Sequence, residues 1–273
     1  MSNILVRTLS GALFIVIVIG AFLLGELTTA IVLGTFMSLG LLEFYQLFYK
    51  NNVGKPFKNT GLITGVLIYL LFIGSHIGLW KLNVLIFPLI AIPFVLLLYS
   101  KEKNPLNDLA LTYLGLIYVL IPFIIIFQLY NFSDEDTSWK IISGMFLIVW
   151  SNDTFAYLSG RFFGKHKLFE RISPKKTWEG TIGGFIFAII TGAVFAYFTS
   201  QNYVYWLIGA AIISSTGAIG DLVESKIKRI VGVKDSGNIM PGHGGILDRF
   251  DAVLFAAPFF YVWSMFCLSL KMI

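Results

Sequence analysis

Cysteine, histidine and charge are all scarce in this 273-residue chain: one Cys, three His, and 13% Asp, Glu, Lys and Arg together. A lone cysteine, Cys267, excludes an intrachain disulfide and any cysteine-rich metal centre. Its place in the last apolar run suits a small packed or lipid-facing side chain. Soluble domains carry about 25% charged residues, so a value near half of that argues against an ordinary water-soluble domain. No internal repeat or low-complexity segment stands out, and no linker is long enough to separate soluble domains. Apolar residues are abundant instead, at 57%, with a mean hydropathy of +0.81. Lipid is therefore the expected solvent, and hydropathy overrides the one or two soluble domains that length alone would suggest.

The net charge is +5 and the isoelectric point near 9.2. The basic residues lie in short loops between apolar runs, which fits membrane orientation and anionic substrates rather than nucleic acid. Arg7 precedes an apolar stretch over 9–24, as in a signal peptide, but a second run begins at Leu27 with no convincing cleavage site between them. The first run is expected to stay as a membrane span.

At about 20 apolar residues per crossing, nine spans are expected, approximately over 4–24, 27–49, 60–80, 82–99, 109–130, 140–160, 181–199, 203–224 and 250–270. The first two are so closely joined that they must form a helical hairpin. Alternating the loops between two sides puts 17 of the 20 basic residues on one side. They are Arg7, then Lys50, Lys55 and Lys58, then Lys101 and Lys103, six from Arg161 to Lys176, and five from Lys226 to Arg249. Lys81, Lys140 and Lys271 fall on the other side, with the acidic residues Asp134, Glu135 and Asp136. The basic side is cytoplasmic by the positive-inside rule, placing the N-terminus inside and the C-terminus outside. The expected fold is one all-α polytopic membrane domain over 1–273, with N-terminal spans over about 1–130 and catalytic spans and loops over about 140–273. The segment Gly61-x-x-x-Gly65 is a candidate helix-packing motif.

Polar residues gather at the cytoplasmic ends of spans six to nine. The first group holds Asn152, Asp153 and Tyr157. An ionisable residue inside a span costs about 2.5–3.5 kcal/mol on insertion scales, so Asp153 points to function, against an inter-helix bond or an ion pair with Arg161. The second group runs Ser173-Pro174-Lys175-Lys176-Thr177-Trp178-Glu179-Gly180. Here Pro174 breaks an incoming helix, Ser173 can cap a new one, and Glu179 lies in its first turns. Paired lysines and hydroxyls at a helix start can cradle phosphate, or simply attract anionic lipid.

The third group is the richest. Asp221, Glu224, Ser225 and Lys228 share one face if span eight stays helical, and Lys226, Arg229, Lys234 and Asp235 follow. After Pro241, Gly242, His243, Gly244 and Gly245 come Asp248, Arg249 and Asp251, the two aspartates three positions apart. The glycines free the backbone to turn amides toward an anion. Hard oxygen ligands, basic residues and a glycine loop match the needs of nucleotide phosphates with Mg²⁺. The blander alternatives are a simple Glu224–Lys228 helix pair and a turn role for His243; His76 lies at the other side and reads as structural.

At this third group the chain resembles the phosphatidate cytidylyltransferases, or CDP-diglyceride synthetases. The carrying stretch is Ser225-x-x-Lys228-Arg229-x4-Lys234-Asp235-x5-Pro241-x-His243-Gly244-Gly245-x-x-Asp248-Arg249-x-Asp251, and the groups around Asp153 and over 173–180 also look like that family's. The resemblance covers roughly the C-terminal half. It implies an all-helical membrane fold, a homodimer, a polar cavity open to the cytoplasm, and dependence on Mg²⁺ with room for a second, monovalent ion such as K⁺. Carried over by motif position, Asp221 and Asp248 are the expected metal ligands, with Asp153 and Asp251 supporting or coordinating.

The expected reaction is attack by a phosphate oxygen of phosphatidic acid on the α-phosphorus of CTP, with pyrophosphate leaving. Positioning and charge neutralisation dominate such transfers. Expected phosphate contacts come from Lys175, Lys176, Lys228, Arg229 and Arg249, with Ser173, Lys226 and Lys234 beside them. Amides around Gly244 and Gly245 are expected to hold the triphosphate, and His243 to position pyrophosphate. Lipid would enter sideways from the inner leaflet of the cytoplasmic membrane. Two other functions compete: a CTP-dependent kinase acting on a polyprenol or phytol, and an ion-coupled transporter.

Overall fold

A computed structural model describes residues 3–130, 132, 138–240, 242 and 244–273, with the backbone alone for residues 3–7 and 138. Pro241, His243 and the acidic group at 134–136 lie outside the described residues, as does the Arg7 side chain. Helices α1 (Asn3–Leu24), α2 (Glu26–Lys50), α3 (Lys58–His76), α4 (Ile86–Leu97), α5 (Pro105–Gly115) and α6 (Ile121–Tyr130) precede α7 (Ser138–Phe163). Two short strands follow, β1 (Lys167–Phe169) and β2 (Ser173–Thr177), then α8 (Trp178–Thr199), α9 (Tyr203–Ile230) and α10 (Leu247–Ser269). A π-helical turn, Leu116–Leu120, joins α5 to α6, so Pro105–Tyr130 is one continuous run.

Among the described residues, seven helices are long and apolar enough to cross a membrane; Thr8–Leu24 and Asn83–Leu97 are shorter apolar helices. Helix thus stands at each of the nine expected segments, seven of them long enough to span. Large apolar side chains are exposed along them, for example Leu24, Phe87, Phe198 and Val262. In water such patches would drive aggregation; in hydrocarbon they are solvated, and a helix keeps every backbone polar group paired. This is a multi-pass, essentially all-helical membrane protein. The antiparallel β1–β2 hairpin is the exception to an all-α fold.

The chain forms two compact units. The first comprises Met1–Ile124 and Ile230–Arg249. The expected α1–α2 hairpin turns at Gly25, whose φ of +115° is a conformation L side chains rarely adopt. Tyr45 donates to the Thr112 carbonyl at 2.9 Å and Tyr69 to the Ala30 carbonyl at 2.8 Å, so each buried hydroxyl is satisfied. Gly61 and Gly65 do pack helices: Tyr45 sits against the first and Leu41 against the second, so α3 closes on α2 within the chain. The loop before α3 is pinned to α5, with the Lys55 N–H donating to buried Asp108 at 2.6 Å and the Phe57 N–H to Thr112 at 2.9 Å.

The second unit comprises Ile125–Arg229 and Phe250–Ile273. Its α7–α8 contact is close because α8 buries Gly180, Gly184, Ala188, Gly192 and Ala196, one small residue every four. A Cβ at Gly184 would lie 2.7 Å from the Asn152 carbonyl of α7, and one at Gly192 would lie 2.8 Å from the Trp206 carbonyl of α9. Small-residue ridges of this kind let helix backbones approach where lipid offers no hydrophobic drive. Trp206, Tyr205 and Phe260 fill the core at one end of this unit.

Candidate active site

In the second unit, α9 carries the expected polar face. It runs without a break from Tyr203 to Ile230, so Asp221, Glu224, Ser225 and Lys228 recur at three and four residues along one stripe. The Ser225 hydroxyl donates to Asp221 Oδ1 at 3.2 Å, and Lys228 is paired with Glu224. Glu224 and Lys228 are 3% and 8% exposed, so this pair is buried and not a solvated surface bridge. Breaking one partner of such a pair strands a charge in low dielectric.

Strand β2 and helix α10 bring the other groups to this stripe. Lys176 Nζ lies 2.5 Å from Asp221 Oδ2. Arg229 Nε donates to the Ile172 carbonyl at 3.4 Å, a second tie between α9 and the β hairpin. The Asp251 carboxylate on α10 interacts electrostatically with Asp221, Glu224 and Asp153. Asp153 accepts from Asn152 Nδ2 at 3.2 Å, and the other end of that amide accepts from Ser214 of α9 at 2.5 Å. Four carboxylates and two lysines from α7, β2, α9 and α10 therefore share one neighbourhood.

Local sequence explains how β2 hands over to α8. Thr177, not Ser173, caps the helix: its Oγ1 accepts from the Gly180 N–H at 3.2 Å. Ser173 and Pro174 sit in β2 instead, since the hairpin with β1 takes up the chain before the helix begins. Glu179, in the first turn as expected, accepts from the Lys165 and His166 N–H groups and pairs with His166 Nδ1 at 2.6 Å. Lys175 is exposed and Lys226 half-buried, leaving Lys175 open to an anion. Tyr157 accepts from Arg161 at 3.3 Å.

The first unit holds the glycine loop. Asp248, in the first turn of α10, accepts the Gly245 N–H at 2.7 Å and the Ser236 N–H at 2.9 Å. Gly244 has a φ of +83°, and a Cβ there would lie 2.5 Å from Asp248 Oδ2, so this turn needs glycine twice over. Lys234 is exposed, and the Arg249 Nε is buried. One residue escaped the sequence reading: Glu43 of α2, 4% exposed, accepts from the Leu247 N–H at 3.0 Å. The available signal was a carboxylate inside an apolar run, the same cue that singled out Asp153.

Among the described residues, no group of three or more His, Cys, Asp or Glu side chains is placed to hold a metal ion. Mg²⁺ does not require one, because it commonly takes one or two carboxylates plus substrate phosphates and waters. The hard oxygens of Asp221 and its electrostatic neighbour Asp251 fit that demand, and the Lys176 ammonium already sits on Asp221.

Comparison with known proteins agrees in one direction. The model of the cytidylyltransferase family matches residues 5–267. A phosphatidate cytidylyltransferase of Staphylococcus haemolyticus is 38% identical over 258 residues, covering 93% of this chain and 96% of the relative. Its counterparts in Staphylococcus saprophyticus and Staphylococcus epidermidis are 38% and 37% identical over the same 258-residue length, again covering 93% of this chain and 96% of each relative.

Proposed function

The chain belongs to the cytidylyltransferase family, and on that premise we propose that it transfers the cytidylyl group of CTP to phosphatidic acid, with the α9 stripe as its catalytic centre. The observation that carries the site is the Lys176–Asp221 ion pair beside Asp251, which feels the charges of both Asp221 and Asp153 inside one unit. The products are CDP-diacylglycerol and pyrophosphate, a step of phospholipid synthesis.

The chemistry follows from charge. An oxygen of the phosphatidic acid phosphate forms a bond to the α-phosphorus of CTP, and the bond from that phosphorus to the β-phosphate bridging oxygen breaks. The nucleophile is already ionised at neutral pH, so no strong general base is needed. Both reactants are anions, so neutralisation and alignment supply most of the rate. Mg²⁺ held by Asp221, with Asp153 and Asp251 supporting, would supply Lewis-acid neutralisation of the triphosphate. Motif position adds Asp248 as a second ligand, an assignment resting on sequence alone. Lys176 leaves Asp221 to take a phosphate oxygen when nucleotide binds, and exposed Lys175 adds a second charge beside it. Arg229, Lys228 and Arg249 complete the phosphate contacts, and amides near Gly244 and Gly245 hold the triphosphate. His243 positions pyrophosphate.

Nine spans, an inside N-terminus and a site facing the cytoplasm of the cell membrane form the rest of this reading; the 17-to-3 split of basic residues supports them. The homodimer comes from the family resemblance, and light scattering of the detergent-solubilised protein tests it. The K⁺ expectation is tested by replacing K⁺ with Na⁺ in the assay.

The test of function uses purified protein in detergent, with no compartments. Label in the α-phosphate of CTP should enter the lipid, with pyrophosphate released, only when Mg²⁺ and phosphatidic acid are both present. Release of CDP with γ-label in the lipid would mark a kinase, and absence of turnover would leave transport as the alternative.

A further inference from the structure

Glu43 is a buried carboxylate of the N-terminal helices outside the motif, 4% exposed, and its hydrogen-bond partners among the described residues flank the glycine loop. It sits on α2, 193 residues before Ser236 and 204 before Leu247 in sequence. Its Oε2 accepts the Ser236 hydroxyl at 3.4 Å and the Leu247 N–H at 3.0 Å. Leu247 opens α10, so Glu43 satisfies one of the amides that a helix start leaves orphaned. Gly237 and Gly245 are shaped around the same carboxylate. Neither has a positive φ, yet a Cβ on either would lie 2.5 Å from a Glu43 oxygen. A side chain at either position would have to displace the Glu43 carboxylate.

Ser236 is gripped twice, its N–H by Asp248 and its hydroxyl by Glu43. Ser236 on one side of the segment over 236–247 and Gly245 and Leu247 on the other are thereby held by two carboxylates. Asp248 belongs to the motif; Glu43 comes from an apolar helix far away in sequence. Burying a carboxylate is expensive without full pairing, and Glu43 Oε1 is buried without a hydrogen-bond partner among the described residues. Stability alone gives no reason to keep a carboxyl group there, whereas fixing the loop does.

We propose that Glu43 is a positioning residue for nucleotide: by clamping the loop over 236–247 from α2, it holds the loop amides in the form that receives the CTP triphosphate. This rests on the reading of that loop as the triphosphate holder. Glu43 touches neither substrate; it acts through Ser236 and Leu247.

The test joins kinetics to a substrate-free readout of the loop. Asn238 is exposed within the loop and accepts a spin label as Asn238→Cys in a Cys267→Ala background. With Glu43→Ala the label should become more mobile without nucleotide, and KM for CTP should rise about tenfold or more, the scale of a lost charge-assisted hydrogen bond. KM for phosphatidic acid should stay unchanged. Glu43→Gln keeps an oxygen for the Leu247 N–H and should recover CTP affinity to within about threefold. Should Glu43→Ala not fold, Ser236→Ala removes one of the same two bonds and should loosen the label and raise KM for CTP severalfold. Wild-type label mobility together with wild-type KM for CTP overturns the clamp. A loosened label with unchanged KM for CTP keeps the clamp and overturns the loop as triphosphate holder.

Discussion

Lys176 and Asp221 form an ion pair, 2.5 Å from ammonium to carboxylate, that ties β2 to α9. Both are partly exposed, with side chains 26% and 32% accessible, so the pair is open to exchange partners rather than sealed. A lysine that neutralises an aspartate before substrate arrives, then turns to a phosphate, keeps each group paired throughout. Lys176→Met should therefore lower kcat/KM for CTP by about 10–100-fold, the value of one charge-assisted contact. Lys176→Arg should retain more activity than the methionine variant. Steady-state kinetics with CTP varied at saturating lipid measures both.

Asp251 on α10 feels the charges of Asp221 on α9 and Asp153 on α7. If their oxygens serve a cation, Asp251→Asn should raise the Mg²⁺ concentration needed for half-maximal rate by at least about tenfold, the cost of one ligand or its close support. Titrating Mg²⁺ at fixed CTP reads this directly, and an unchanged Mg²⁺ profile would remove Asp251 from the ion.

Thr177 gives a prediction about folding. Its side chain caps α8, so Thr177→Ala should destabilise by about 0.5–2 kcal/mol. Thermal unfolding in detergent should fall by a few degrees, at about 2–4 °C per kcal/mol for chains of this size. Thr177→Ser should restore the melting temperature.

Gly184 tests the small-residue ridge. A Cβ there meets the Asn152 carbonyl at 2.7 Å, backbone that cannot step aside. Gly184→Leu should lower the yield of folded, monodisperse protein, since overpacking costs about 1–3 kcal/mol or more. Size-exclusion profiles compare it with Ile186→Leu, at an exposed position of the same helix, which should match wild type.

Much of this was legible in the chain. Apolar runs located the helices, because hydrocarbon forces every backbone group to pair within its own segment. The three- and four-residue spacing of Asp221, Glu224, Ser225 and Lys228 placed them on one face, and one unbroken α9 keeps them there. The start of α8 was misplaced, because Ser173 and Thr177 are both competent caps and only the pairing of β1 with β2 chooses between them. Glu43 carried the cue of a carboxylate in an apolar run, but its role was illegible for a different reason. Its partners are the amide of Leu247 and the hydroxyl of Ser236, about 200 residues away, and a tertiary bond to a backbone amide leaves no local pattern. The grouping of Ile230–Arg249 with the N-terminal helices was hidden in the same way.

Mn²⁺ binding followed by electron paramagnetic resonance, on purified protein with CTP, tests the carboxylate group at Asp221 most directly. Wild type should bind Mn²⁺ saturably, and Asp221→Asn should lose that binding together with CDP-diacylglycerol formation while its melting temperature stays close to wild type. An Asp221→Asn protein that binds Mn²⁺ and CTP and turns over like wild type would contradict the placement of the ion.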